Sequence, residues 1–130
     1  MDMEISFPGG KKVNAIYKGF TIKTDQTKNE GGEGSAPEPF SLFLTSIGTC
    51  AGIYVLNFCQ NRNIPTDELK MILTTEKDDE THMIKNIKID IFLPKNFPDS
   101  YKNAILKTAA LCTVKKHLEH PPTIEIKLKQ

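Results

Sequence analysis

Apolar side chains recur at every second position near the start of the chain: Met3, Ile5 and Phe7, then Val13, Ala15 and Tyr17, then Phe20 and Ile22. Pro8-Gly9-Gly10 and Lys18-Gly19 separate the three groups. A period of two interrupted by turn residues predicts short antiparallel strands in a meander. The period is lost from Thr24 to Pro39, a polar, glycine-rich run too long for a simple turn, and loops of this length are either mobile or functional. From Pro39 to Asn61 no charged residue occurs. This stretch predicts a helix buried on nearly all sides, with Pro39 in its first turn and its end before Pro65. Alternation then returns at Leu69, Met71 and Leu73, and again at Ile87, Ile89, Ile91 and Leu93, around a polar Lys77–Thr81 turn. Pro94 to Pro98 breaks this ribbon, and Asp99 or Ser100 is the expected cap of a second helix. Its stripe is Tyr101, Ala104, Ile105, Thr108, Ala109 and Cys112, at helical spacing. Pro121-Pro122 ends the helical region, and Ile124, Ile126 and Leu128 predict a last strand. The order β-β-β-α-β-β-α-β, antiparallel sheet with segregated helices, is α+β.

A chain of 130 residues is one domain, here residues 1–130, large enough to bury about two-thirds of its unfolded surface without disulfide staples. That size bears on the uncharged helix, because a domain this small struggles to surround it alone. Cover from a second subunit is the natural remedy, so a homodimer is expected. The helix is also long enough to cross a bilayer. Yet it carries seven polar side chains from Ser41 to Asn61, no cationic cluster flanks it, and no membrane role is expected. Net charge +1, with Arg62 the only arginine, argues against a nucleic-acid partner, since base readout leans on arginine. Met1-Asp2-Met3-Glu4 lacks the cationic start and apolar run of a signal peptide. With three cysteines, an odd number, this predicts a cytoplasmic protein with reduced thiols.

The cysteines are therefore the candidates for chemistry. Cys50 sits mid-helix in SIGTCAG and Cys112 follows the second helix in ALCTVKKHL; two helices on one sheet can bring the sulfurs together. Each cysteine also reads as a small buried hydrophobe. If a short helix begins at Cys112, its dipole with Lys115 and Lys116 lowers that thiol's pKa; if the helix runs on unbroken, the dipole gives nothing. Cys59, nine residues past Cys50, falls on the opposite helix face and reads as packing. His117 is five residues past Cys112 and off its face, so no metal site is expected, nor any cofactor. Gly31-Gly32-Glu33-Gly34 lacks the Gly-Lys-Ser/Thr of a phosphate loop and reads as a flexible cover over the site or a plain loop. Gly48-x3-Gly52 would let another backbone approach the helix beside Cys50. The Lys115-Lys116 pair, with Lys127 and Lys129, reads as a solvated face.

Pro-x10-Cys at Pro39–Cys50, Cys-x-Val at Cys112–Val114, the uncharged central helix and the strand order together resemble the osmotically inducible protein C / organic hydroperoxide resistance (OsmC/Ohr) family, as a divergent member. The resemblance implies an intertwined homodimer with the long helices buried between two sheets. It also implies a thiol peroxidase in which Cys50 attacks the peroxide and Cys112 resolves the sulfenic acid as a disulfide, with a dithiol reductant closing the cycle. Ile47, Ile53 and Tyr54, beside Cys50 on the helix, suit an organic hydroperoxide. Two departures stand out. Where peroxidase members carry a glutamate after the helix-starting proline this chain has Phe40, with Glu38 on the wrong side of Pro39, and no arginine precedes Arg62. Lys18 or Lys23 is left as a substitute cation, a point charge without the guanidinium fork. Without a partner, the buried Cys50 thiol is expected to have a raised pKa and a rate that climbs with pH toward about 8.5 or above. The family's proline after the second cysteine is Thr113 here. A second reading thus stays open: a non-catalytic, stress-associated OsmC-like protein that holds a small apolar ligand at the dimer interface.

Overall fold

A computed structural model describes all 130 residues, Met1–Gln130. The chain divides into two compact units, Met1–Thr45 and Ser46–Gln130. In the first, β1 (Glu4–Gly9), β2 (Lys12–Tyr17) and β3 (Phe20–Thr24) form the expected antiparallel meander in the order β1-β2-β3. Lys18 and Gly19, both at positive φ, make the two-residue turn between β2 and β3, the conformation that matches the strands' own twist. Ile5, Ala15 and Ile22 lie in register across the sheet, and Ile5 and Ile22 remain exposed.

The glycine-rich segment after β3 is a built loop rather than a loose one. Asp25 is 1% exposed and gathers the segment around its carboxylate. The carboxylate accepts bonds from the Gln26, Glu33 and Ser35 backbone N–H groups and, at 2.6 Å, from the Ser35 hydroxyl. Gly32 packs so closely that an added Cβ would lie 2.1 Å from the Gln26 carbonyl oxygen, which only glycine allows. These bonds hold the Asp25 carboxyl down from 3.8 to about 2; the Ser35 hydroxyl contributes most, then the Ser35 N–H, against the opposing cost of burial.

The uncharged stretch forms the helix α1 (Pro39–Asn61), with the predicted limits. Its buried residues Ile47, Ala51, Val55, Phe58 and Cys59 recur at three- and four-residue spacing. Phe40, Phe43 and Ile53 are exposed, so within one chain α1 is covered along a stripe and not on nearly all sides. In the second unit β4 (Lys70–Lys77) pairs antiparallel with β5 (Ile84–Phe92), and Asp78 organises the turn by accepting the Glu80 and Thr81 N–H groups. Val55, Phe58, Cys59, Phe97 and Ile105 form the core, with Met71, Ile91 and Leu93 packed against it. Gly48 and Gly52 face the Leu73 and Met71 side chains of β4, not another helix backbone.

Three expectations need correction. Asp99 and Ser100 do not cap the second helix: Asp99–Tyr101 form a 3-10 turn entered from Pro98, and Asp99 pairs with Lys102 at 2.7 Å. The helical stripe does not continue to Cys112. The helix α2 (Lys102–Ala109) ends first, and after a tight turn α3 (Thr113–Glu119) begins with Cys112 as its extended N-terminal cap. Ile124, Ile126 and Leu128 form no strand, because no ladder partner lies beside them, and they are 82%, 94% and 92% exposed. The α+β class holds, with the order β-β-β-α-β-β-α-α.

Candidate active site

Two backbone features converge on one point in the second unit. Cys50 lies midway along α1, one turn past the buried Ile47 and one turn before Tyr54. The break between α2 and α3 turns the chain so that Cys112 and the first residues of α3 face it. The Cys50 and Cys112 thiols are hydrogen-bonded to each other, and the Val114 and Thr113 backbone N–H groups also reach the Cys50 sulfur. Cys50 is half-buried and Cys112 is 1% exposed. The two sulfurs singled out in the sequence are thus together, both as free thiols.

The two thiols are driven apart in acidity. Burial is the largest single influence on Cys50 and opposes ionisation, but the Val114 N–H, the Cys112 thiol and the Thr113 N–H together outweigh it. The Cys50 pKa is therefore below the ordinary thiol value, where a raised one was expected. Backbone donors supply what an absent arginine does not. Cys112 moves the other way: burial raises it first, and the bond to Cys50 raises it further, against a smaller opposing effect of the Lys115 and Val114 N–H groups. A short helix does begin at Cys112, yet its first N–H groups leave Cys50, not Cys112, the more acidic thiol. The arrangement favours a Cys50 thiolate that accepts a bond from a protonated Cys112.

Beside the pair is a cavity of about 320 Å3, walled by Ile47 and Ala51 of α1 and by Ile89 and Ile91 of β5, with Cys112 and Lys115 also on its lining. Of the three apolar neighbours expected for Cys50, Ile47 alone lines it. Ile53 is 47% exposed, and Tyr54 directs its hydroxyl to Thr113 Oγ1 at 2.9 Å. Lys115 meets Glu119 one turn on. The chain's only arginine is occupied elsewhere: Arg62 lies over the Phe58 ring, 3.6 Å from its centre, and donates to the Phe58 carbonyl at 3.1 Å. Lys18 lies over the Tyr17 ring, 5.1 Å from its centre. Cys59 is fully buried, across α1 from Cys50, its pKa raised by burial against the weaker effect of Arg62. The His117 ring Nδ1 donates to the Thr113 carbonyl at 2.7 Å, within its own helix. Sequence reasoning missed the Thr113 and Val114 donors, since no Gly or Pro marks the break that aims them.

The family model described as OsmC-like protein matches residues 32–127. A search of curated proteins gives no match. Among solved structures, an osmotic stress induced and detoxification response protein from Psychrobacter arcticus superposes with a TM-score of 0.73 at 21% identity, over 88% of this chain and 85% of its own. An OsmC like protein from Mycoplasma pneumoniae gives 0.71 at 16% identity, over 92% and 87%. An organic hydroperoxide resistance protein from Legionella pneumophila gives 0.52 at 17% identity, over 91% and 89%. At these identities the likeness is one of fold.

Proposed function

Since the chain belongs to the OsmC-like protein family, we propose that it is a thiol-dependent peroxidase for organic hydroperoxides, working as a homodimer through Cys50 and Cys112. The observation that carries this reading is the hydrogen-bonded thiol pair with the acidity of its members pulled apart. One relative of the same fold is named for organic hydroperoxide resistance. The Cys50 thiolate attacks one peroxide oxygen and the O–O bond breaks. Cys50 becomes a sulfenic acid, and the other oxygen takes a proton and leaves as the alcohol. The Cys112 sulfur then attacks the Cys50 sulfur, expelling the hydroxyl as water and forming a disulfide. A dithiol reductant restores both thiols and is itself oxidised to a disulfide. Cys112 stays protonated until the sulfenic acid forms, as a resolving thiol requires. The Ile- and Ala-walled cavity beside the pair receives the organic group, and Ile47 keeps it close to the helix turn that carries Cys50.

Cumene hydroperoxide with an excess of a dithiol tests the reading. Wild type should consume peroxide over many turnovers and Cys50→Ser should not consume it, whereas Cys112→Ser, assayed with the dithiol left out, should consume one equivalent and stop. Cys59→Ser should behave as wild type, because Cys59 is buried on the far side of α1. One observation favours a second reading. The cavity touches Cys112, the less acidic thiol, and Cys50 is not on its lining. An OsmC-like protein that binds a small apolar ligand without thiol turnover fits that geometry, and it predicts saturable cumene binding with no peroxide consumed.

A further inference from the structure

Tyr54 is four residues past Cys50, on the same face of α1, and its hydroxyl reaches across to the start of α3. There it meets the Thr113 hydroxyl at 2.9 Å. Thr113 is the first residue of α3 and follows Cys112 directly. Its N–H and that of Val114 reach the Cys50 sulfur. The Thr113 carbonyl is held by the His117 ring and the Cys112 carbonyl by the Lys116 N–H. The junction is thus internally fixed, and the Tyr54–Thr113 bond ties it across to α1 through side chains other than the two thiols.

We propose that Tyr54 and Thr113 are a positioning pair: their hydroxyl–hydroxyl bond anchors the α2–α3 junction to α1, so that the Thr113 and Val114 N–H groups stay aimed at the Cys50 sulfur. Neither residue is catalytic. They act through the backbone, and a tyrosine at this place does for the thiolate what a cation does by charge. The groups that face Cys50 are Cys112 and these amides from the junction, with Tyr54 one turn along its own helix. Lys115, further along α3, is engaged by Glu119. A hydrogen bond is steep in distance and angle, so a small drift of the junction weakens both amide bonds together. The inference uses the reading of Cys50 as the attacking sulfur only for its consequence, since thiol acidity exists whether or not peroxide is consumed.

The test is the pH dependence of Cys50 alkylation by iodoacetamide, followed at that residue by peptide mass spectrometry in the full chain. Tyr54→Phe removes only the hydroxyl and should raise the Cys50 midpoint by roughly half a pH unit, a loss of about threefold in thiolate below the midpoint. Thr113→Val should shift it by a similar amount, Thr113→Ser should restore the wild-type value, and the Tyr54→Phe/Thr113→Val double variant should shift no further than either single one. Thr113→Pro, sterically tolerated at the first position of a helix, also deletes one of the two amide donors and should shift the midpoint more. A midpoint unchanged in Tyr54→Phe and Thr113→Val, even where thermal stability falls, overturns the proposal. Variants that show these shifts, beside a wild type that consumes no peroxide, overturn the peroxidase reading and leave the positioning pair standing.

Discussion

Arg62 shows how one residue type can belong to the core instead of the chemistry. As the only arginine, it was the one guanidinium available to stabilise a thiolate, but it sits in the turn after α1. Its plane covers the Phe58 ring, its centre lies 5.3 Å from that of Tyr101, and it donates to the Phe58 carbonyl that the helix end leaves without a partner. A cation–π contact and one charge-assisted hydrogen bond together contribute about 1–2 kcal/mol here. Arg62→Gln should therefore lower stability by about that amount in urea unfolding while leaving the Cys50 alkylation midpoint where it is. A shifted midpoint would mean that the guanidinium acts on the site after all. At Cys50 itself the opposite substitution of means holds: backbone N–H groups, fixed by the fold, take the place of a mobile cation. Such donors cost no side-chain entropy when the thiolate forms, because helix formation has already ordered them.

Among the elements, the loop from Thr24 to Pro39 departs furthest from what its composition suggests. Glycine richness reads as mobility, but a buried aspartate at its start converts the glycines into room for close backbone approach. The carboxylate is ionised in the folded chain at a pKa of about 2, below the 3.8 it has when free, so its contribution is complete above about pH 4 and is lost as pH falls through about 2. Asp25→Ala should accelerate amide hydrogen exchange at Glu33 and Ser35 by at least about tenfold at neutral pH, because their N–H groups lose their acceptor. Exchange that stays slow would show that the Lys12–Glu33 ion pair and the loop's backbone hydrogen bonds hold it without the carboxylate. The meander, α1 and the β4–β5 hairpin were legible because each is decided by local period and turn residues. The break at Cys112 stayed one of two alternatives. Its stripe Ala104-Ile105-Thr108-Ala109-Cys112 has unbroken helical spacing, and only tertiary contacts with α1 make the bent chain preferable. The tail at Ile124–Leu128 failed for the converse reason: alternation states a strand's preference, but a strand exists only beside another.

For the whole molecule, the exposed apolar surface is what a single chain leaves unexplained. Ile5 and Ile22 on the first sheet, Phe43 and Ile53 on α1, and the tail from Ile124 to Leu128 all remain open to water. Large exposed apolar surface of this kind marks association, and a homodimer burying more than about 2,000 Å2 in total would cover it. Sedimentation at micromolar concentration should show a species of twice 14.6 kDa. A stable monomer at that concentration contradicts the dimer and leaves the thiol chemistry to be judged separately. That chemistry is the central claim, and one experiment reaches it most directly: treat the native protein with a single equivalent of cumene hydroperoxide and identify the modified cysteines by peptide mass spectrometry. The predicted result is a Cys50–Cys112 disulfide with Cys59 reduced, and in Cys112→Ser a sulfenic acid on Cys50. A Cys50 thiol that stays unmodified while the peroxide persists would contradict it.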